Sequence, residues 1–188
     1  VLGVSQPDFS LQRFLRSYAP SAQMPPLPDR AFLLAIPVTL LQALPVALLN
    51  WGEEFGWRGY LQLRLFPTHP LRAAIATGLI WGIWHYPLIL IGYQRYEHPG
   101  LGLLLFPIFT ILLSIIFGWL RLKTGSIWSA CLAHGATNAI GGSLTALLFL
   151  GGSNWIFVTY NGILAWIPLG IVCGWIVWQD LRQLRVSL

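Results

Sequence analysis

Long runs of apolar residues, separated by short clusters of charge, glycine and proline, dominate the chain. The first uncharged run covers residues 31–50. As a helix it would be about 30 Å long at about 1.5 Å per residue, which is enough to cross a bilayer. Further runs of this kind cover residues 73–91, 101–120, 127–150 and about 157–178. The pattern predicts an all-α, polytopic transmembrane helix bundle with about five spanning helices around a polar cavity.

The segments outside these runs are more polar. Residues 1–30 include a proline-rich stretch at 24–28, so we expect a surface or amphipathic segment followed by a stiff linker. Residues 53–72 carry several arginines and two prolines and are expected to form a basic connection at one membrane face. We assign residues 31–180 to a single transmembrane domain and residues 181–188 to a basic tail.

Composition agrees with a chain whose solvent is lipid. Of its 188 residues, 56% are hydrophobic and only 9% are charged, where a soluble domain would carry far more charge. The net charge of +5 is scattered and forms no basic run with interleaved aromatic residues, so no nucleic-acid partner is expected. An anionic membrane surface accounts for the basic balance.

The chain begins with Val1 rather than methionine and shows no separate signal peptide. We therefore expect the natural start to be missing, with upstream helices absent, although processing would produce the same beginning.

Alternation of the spans would divide the basic residues unequally between the two membrane faces. One face receives Arg58, Arg64, Arg72, Arg121, Lys123, Arg182 and Arg185. The other face receives Arg13, Arg16, Arg30 and Arg95. Because Lys and Arg are retained on the cytoplasmic side, we expect the first face, with the basic loops and the C-terminus, to be cytoplasmic. The expected location is the inner membrane of the cell.

Two adjacent acids stand at the end of the first apolar run. On a helix Glu53 and Glu54 point about 100° apart, so Glu54 can pair with Arg58 at i,i+4 while Glu53 faces elsewhere. One acid is therefore expected to be structural and the other to be free. An interfacial helix end whose acids mark the water boundary is the plainer alternative.

Two of the predicted spans each contain a histidine. His85 lies in the second, and His134 lies in the fourth on the same helical face as Asn138. At membrane depth such groups must be paired or must line a wet cavity. A carboxylate and an imidazole can together remove a proton from water, and a second imidazole with an amide can donate to an oxyanion. These residue types therefore suit hydrolysis of an amide by activated water.

Three motifs, in this order and within residues 45–140, resemble the CPBP family of intramembrane proteases. That family contains the type II CAAX prenyl endopeptidases and bacterial, Abi-like proteins linked to bacteriocin processing and self-immunity. The motifs are EExxxR from Glu53 to Arg58, an aromatic residue and a histidine at Trp81 and His85, and HxxxN from His134 to Asn138. The family commonly has Phe where this chain has Trp81, a departure that we expect to affect only local packing.

The resemblance implies a role for each motif residue. Glu53 would activate water with help from His85, while His134 and Asn138 would stabilise the oxyanion. The supporting residues would be Glu54 and Arg58, as an ion pair, and Trp81. The implied substrate is a membrane-anchored peptide, either CAAX-like and prenylated or of the bacteriocin type. We expect no cofactor and no essential metal.

Three rival hypotheses use the same part of the chain. Glu53, His85 and His134 have the ligand types of a zinc site, although no HExxH helix is present. Cys131 lies three residues before His134 and could serve as a nucleophile, but nothing in the surrounding sequence activates the thiol. We instead expect Cys131 and Cys173 to be buried small hydrophobic residues. A transporter or a non-catalytic immunity or scaffold protein would use the membrane-embedded His and Glu as a pathway.

Overall fold

The computed structural model describes residues 6–20, 25, 27–28, 30–93, 96, 98–149 and 155–186, and it contains no strand among them. The helices are, in chain order, α1 Gln12–Tyr18, α2 Phe32–Glu54, the π-helical π1 Phe55–Leu61, α3 Gln62–Arg64, α4 Pro70–Trp84, α5 Tyr86–Leu90, α6 Pro99–Thr124, α7 Ile127–Ala136, the π-helical π2 Thr137–Gly142, α8 Ser143–Phe149, α9 Trp155–Val158 and α10 Ile163–Val186.

Within these residues, four helical stretches are long and apolar enough to cross a membrane. They are Phe32–Arg64, Pro70–Leu90, Pro99–Thr124 and Ile163–Asp180. The remaining predicted span forms a continuous helix over residues 127–149 that is not among the four. Its polar residues, His134, Thr137 and Asn138 among them, make it less apolar. The predicted all-α bundle with about five spans is thus confirmed in outline.

The first span is longer than its apolar run. We expected residues 53–72 to form a connection at the membrane face, but the helix continues through π1 and α3 and ends at Arg64. Arg58 is completely buried, because Glu54 pairs with it inside the bundle. The expectation is therefore wrong for residues 53–64. Arg58 does not belong to the set of basic residues at the first membrane face, which we call the basic face. Single π-helical turns of this kind are frequent at functional sites.

Close helix contacts hold the bundle together around α2 and α4. A Cβ atom at Gly135 of α7 would lie 2.6 Å from the carbonyl oxygen of Ala43 in α2, so a larger residue would force these helices apart. Between α4 and α6, the Thr110 hydroxyl donates a 2.9 Å hydrogen bond to the Gly78 carbonyl. In lipid, such packing and interhelical hydrogen bonds replace the hydrophobic driving force.

A short turn places α7 beside α6. Gly125 ends α6 with a φ of 69°, which glycine adopts without steric cost. Ser126 then begins α7, and its hydroxyl accepts a hydrogen bond from the backbone N–H of Trp128. The two helices run back along each other, and the ring of His134 stacks 5.8 Å from that of Phe117.

The centre of the bundle is aromatic, whereas much of its outside is leucine. Trp81, Phe109 and Phe117 belong to the buried cluster between α4 and α6. On α2, Leu34 and Leu49 are 75% and 80% exposed. Exposed apolar area on this scale marks a surface that faces lipid rather than water.

The ends of the helices meet as alternation of the spans predicts. Lys123, near the end of α6, lies 4.0 Å from Asp180 of α10, measured from Nζ to Oδ1. Thr68 and His69 line the same cavity as Lys123 and Asp180, so these helix ends and the loop at residues 65–69 lie at one end of the bundle. Arg95 and the side chains of Arg182 and Arg185 lie outside the described residues, as do parts of the predicted linker and residues 187–188 of the tail.

Candidate active site

The indole of Trp81 is the point at which the three motifs meet. Trp81 is buried, and its ring centroid lies 5.8 Å from the ring of His85 and 5.1 Å from that of His134. The guanidinium carbon of Arg58 lies 4.6 Å from the same ring. The Nε1–H of Trp81 donates a 3.0 Å hydrogen bond to Oε2 of Glu53. Residues far apart in sequence are therefore neighbours around one side chain.

Glu54 is the centre of a buried polar network. Its Oε1 accepts a 2.8 Å hydrogen bond from Nη1 of Arg58 and lies 2.9 Å from Nδ1 of His134. Glu54 and Arg58 are 0% exposed and His134 is 4% exposed. The predicted pair of Glu54 and Arg58 is therefore present in the structure. The contact with His134 was not predicted, because spacing along one helix says nothing about another helix.

The buried guanidinium of Arg58 lies between two aromatic rings. Its central carbon is 4.6 Å from the ring centroid of Trp81 and 5.1 Å from that of Phe117. Its Nε and Nη2 have no hydrogen-bond partner among the described residues. Cation–π attraction, which is strongest when the cation is desolvated, therefore supplements the ion pair with Glu54.

Hydrogen bonds at Nδ1 orient both histidine rings. Carboxylate and carbonyl oxygens only accept, so Nδ1–H of His134 donates to Glu54, and Nδ1–H of His85 donates to the backbone carbonyl of Trp81 at 2.9 Å. In each ring Nε2 is then the nitrogen left for water or substrate. A neutral His85 would accept at Nε2, whereas a doubly protonated His134 beside the Glu54 carboxylate would donate there.

The carboxyl group of Glu53 is only half-buried, unlike that of Glu54. Its Oε2 accepts the hydrogen bond from Trp81, while its Oε1 has no partner among the residues that the structure describes. Sequence reasoning missed this anchor, since it treated Trp81 as packing. The sequence signal that could have revealed this hydrogen bond is the Trp at position 81, because a Trp in place of the common Phe adds an N–H donor.

Asn138 forms no side-chain hydrogen bond to the other predicted site residues, all of which lie in the described part of the chain. It lies in π2 on the exposed surface of the bundle, and its side chain forms no hydrogen bond to the described part of the chain. Spacing correctly placed it on the same helical stretch as His134. Spacing could not show whether another element covers that face, so the oxyanion role of Asn138 stays a prediction.

The described residues offer little to the two rival catalytic hypotheses. No group of three or more His, Cys, Asp or Glu side chains among them is placed to hold a metal ion. Cys131 is completely buried, and Nδ1 of the neighbouring His134 is engaged with Glu54. Cys131 and Cys173 are both free and buried, as predicted.

A profile of the family described as type II CAAX prenyl endopeptidase Rce1-like matches residues 31–140, more than half of the chain. The chain belongs to this family. The matched range contains all three motifs around Trp81, so the resemblance seen in the sequence is confirmed. With its long apolar helices, this Rce1-like chain is an integral membrane protein.

A named relative covers part of the same region. CAAX prenyl protease 2 of Methanococcus maripaludis is 34% identical over 88 residues, which are 44% of this chain and 32% of the relative. The chain therefore spans about a third of the length of the curated relative that it matches. No solved structure matches the chain.

Proposed function

We propose that this chain carries the catalytic centre of an intramembrane endopeptidase that cleaves a membrane-anchored peptide with an activated water molecule. The observation that carries the proposal is the placing of Glu53, His85 and His134 around the buried indole of Trp81 inside an apolar bundle. Membership of the Rce1-like family supports it, and so does a relative named as a CAAX prenyl protease. A prenylated, CAAX-like peptide is the substrate class that these names favour.

In the proposed reaction Glu53 is the general base. Its unpartnered Oε1 accepts a proton from water as the water oxygen bonds to the carbonyl carbon of the peptide bond. Nε2 of His85 accepts the second hydrogen bond of the same water and so orients it. When the tetrahedral intermediate collapses, the C–N bond breaks, and the proton held by Glu53 passes to the leaving amine.

His134 is the proposed donor to the developing oxyanion. For Nε2 to donate while Nδ1 donates to Glu54, the ring must carry both protons. A donor in a site with little water stabilises an oxyanion strongly. Glu54 would orient His134 through this hydrogen bond without touching the substrate. Asn138 would add a second donor if its exposed side chain turned toward the carbonyl.

The proposed site would lie within the membrane-spanning part of the bundle, near the middle of the Pro70–Leu90 stretch. Trp81 is 11 residues from Pro70 at the start of α4, or about 16 Å, and His134 is seven residues from Ile127, or about 10 Å. A peptide reaching it from the basic face would therefore enter by about 10–16 Å. We propose that this face is cytoplasmic, which would give the C-terminal end of an anchored protein access.

Mass-spectrometric detection of cleavage of a lipid-anchored peptide pool by the reconstituted protein tests the proposal. The native protein is compared with Glu53→Gln, and Asp8→Asn serves as a control for a carboxylate outside the site. We expect cleavage by native protein and control, with or without a strong chelator, and none by Glu53→Gln. Cleavage lost with chelator and restored by zinc would favour a metal site. An active Glu53→Gln variant would contradict the proposed base.

A further inference from the structure

A space with polar and apolar walls lies at the end of the bundle that carries Arg72 and Lys123, which we call the basic end, and residues of the candidate active site are not part of it. It is a cavity of about 820 Å³ between α3, the start of α4 and the ends of α6 and α10. Its volume falls within the range of pockets that bind small molecules. Glu53, His85 and His134 do not line it.

The lining of this cavity is amphipathic. Leu71, Ile115, Trp119 and Ile176 contribute apolar wall, while Arg72 and Lys123 contribute positive charge. The acid in the lining is Asp180, which lies 4.0 Å from Lys123 and pairs with it, whereas Arg72 lies elsewhere in the lining. This combination matches a ligand with hydrocarbon chains and an anionic head.

Two buried polar atoms in the wall lack a protein partner. Oε1 of Gln62 and Nε1 of Trp119 have no hydrogen-bond partner among the described residues, and Gln62 is only 4% exposed. Unsatisfied polar groups are costly in an apolar environment and are ordinarily satisfied by a ligand or an ordered water. Both atoms lie beneath the surface of the wall, so Arg72 and Lys123 are the charged groups that a polar head can reach from the cavity.

The position of the cavity adds to the charge argument. Arg121 lies at the same end of the bundle as Arg72 and Lys123, so described cations outnumber Asp180 there. Basic pockets between membrane helices on the cytoplasmic side are suited to anionic lipid head groups, and each Lys or Arg near the surface contributes about 1 kcal/mol.

We propose that this cavity binds one anionic diacyl phospholipid. The acyl chains lie along Leu71, Ile115 and Ile176, and the phosphate lies at Arg72 and Lys123. A lipid at this position packs between α4, α6 and α10, and so stabilises α10 against the helices that carry the candidate active site. The site is independent of the proposed peptidase chemistry.

Native mass spectrometry of the detergent-purified protein, titrated with phosphatidylglycerol, phosphatidylethanolamine or phosphatidylcholine of matched chains, tests this proposal. We expect one phosphatidylglycerol to bind about tenfold more tightly than either zwitterionic lipid. The preference should fall to about threefold or less in Arg72→Gln and in Lys123→Gln. Arg64→Gln is the matched control, because Arg64 lies at the same end outside the cavity. It should keep the full preference.

Three results would overturn the lipid site. Equal binding of all three lipids would show that the cavity does not distinguish the charge of the head group. An equal loss in Arg64→Gln would show general surface attraction instead of a site. Absence of any retained lipid from the native protein, expected if another segment or a partner fills the cavity, would also contradict it.

Discussion

The residues around the Trp81 indole form two groups that differ in exposure. We call Glu54, Arg58 and His134 the closed side and Glu53 the open side. On the closed side, Arg58 and His134 are each hydrogen-bonded to Glu54, and all three residues are almost wholly buried. On the open side, Glu53 is half-buried, so its carboxylate can meet water, whereas Oε2 of Glu54 has no partner among the described residues and is enclosed. Adjacent acids of the same motif thus have opposite environments. A carboxylate that takes a proton from water must be reachable by water, as Glu53 is. Glu54 instead holds the side chains of Arg58 and His134 in place.

The largest effect is expected from breaking the closed side. Arg58→Met leaves the Glu54 charge buried beside one partner, and loss of one member of a buried ion pair costs about 3–5 kcal/mol. We expect the free energy of unfolding in mixed micelles to fall by that amount. Adding Glu54→Gln to the same protein should recover part of the loss, because the uncompensated charge is then removed. A single variant as stable as the native protein would show that the pair is not structural.

A smaller effect should follow from separating the two sides. Gly135→Ala places a methyl group 2.6 Å from backbone atoms of α2, and overpacking of this kind costs about 1–3 kcal/mol. The same change should move His134 away from Glu54 and lower kcat. Gly52→Ala is the control on α2, where a Cβ atom would meet nothing within 4 Å. Equal behaviour of the two variants would argue against tight packing of α7 on α2.

The smallest effect is expected from removing the hydrogen bond between Trp81 and Glu53 on the open side. Trp81→Phe keeps an aromatic ring but removes the N–H that holds Glu53, and a hydrogen bond to a charged group is worth about 1.5 kcal/mol or more. We expect kcat to fall about tenfold with KM nearly unchanged, since the base is misplaced while substrate binding is not. Trp128→Phe, at an exposed tryptophan of α7, should have no such effect. An unchanged kcat in Trp81→Phe would remove the positioning role.

Much of the bundle follows from the sequence, because the bilayer limits a long apolar run to a spanning helix. The runs at residues 73–91 and 101–120 match Pro70–Leu90 and Pro99–Thr124 closely. The length of the first span was underestimated, because the charges of Glu54 and Arg58 interrupt the apolar run. Within the bundle these two charges neutralise each other. A hydropathy pattern counts each charge separately and cannot register such a pairing.

The site could be predicted where its geometry is local. The i,i+4 pair of Glu54 and Arg58 needs only helical periodicity, and it is present. The bonds from Trp81 to Glu53 and from His134 to Glu54 join residues 28 and 80 positions apart, so they depend on how the helices pack. The resemblance to known proteases supplied the candidate residues, and the fold shows which of them touch.

The central claim is that the two adjacent glutamates have separate tasks, and exchanging each for glutamine in turn tests it most directly. Peptide cleavage and the free energy of unfolding are measured on both variants in the same lipid mixture. Glu53→Gln should lower kcat by about 10²–10⁴-fold, as expected for loss of a general base, and leave stability within about 0.5 kcal/mol. Glu54→Gln should lose about 3–5 kcal/mol of stability, because Arg58 then stays buried without its counter-charge. Equal losses of stability in the two variants, or full activity in Glu53→Gln, would contradict the account.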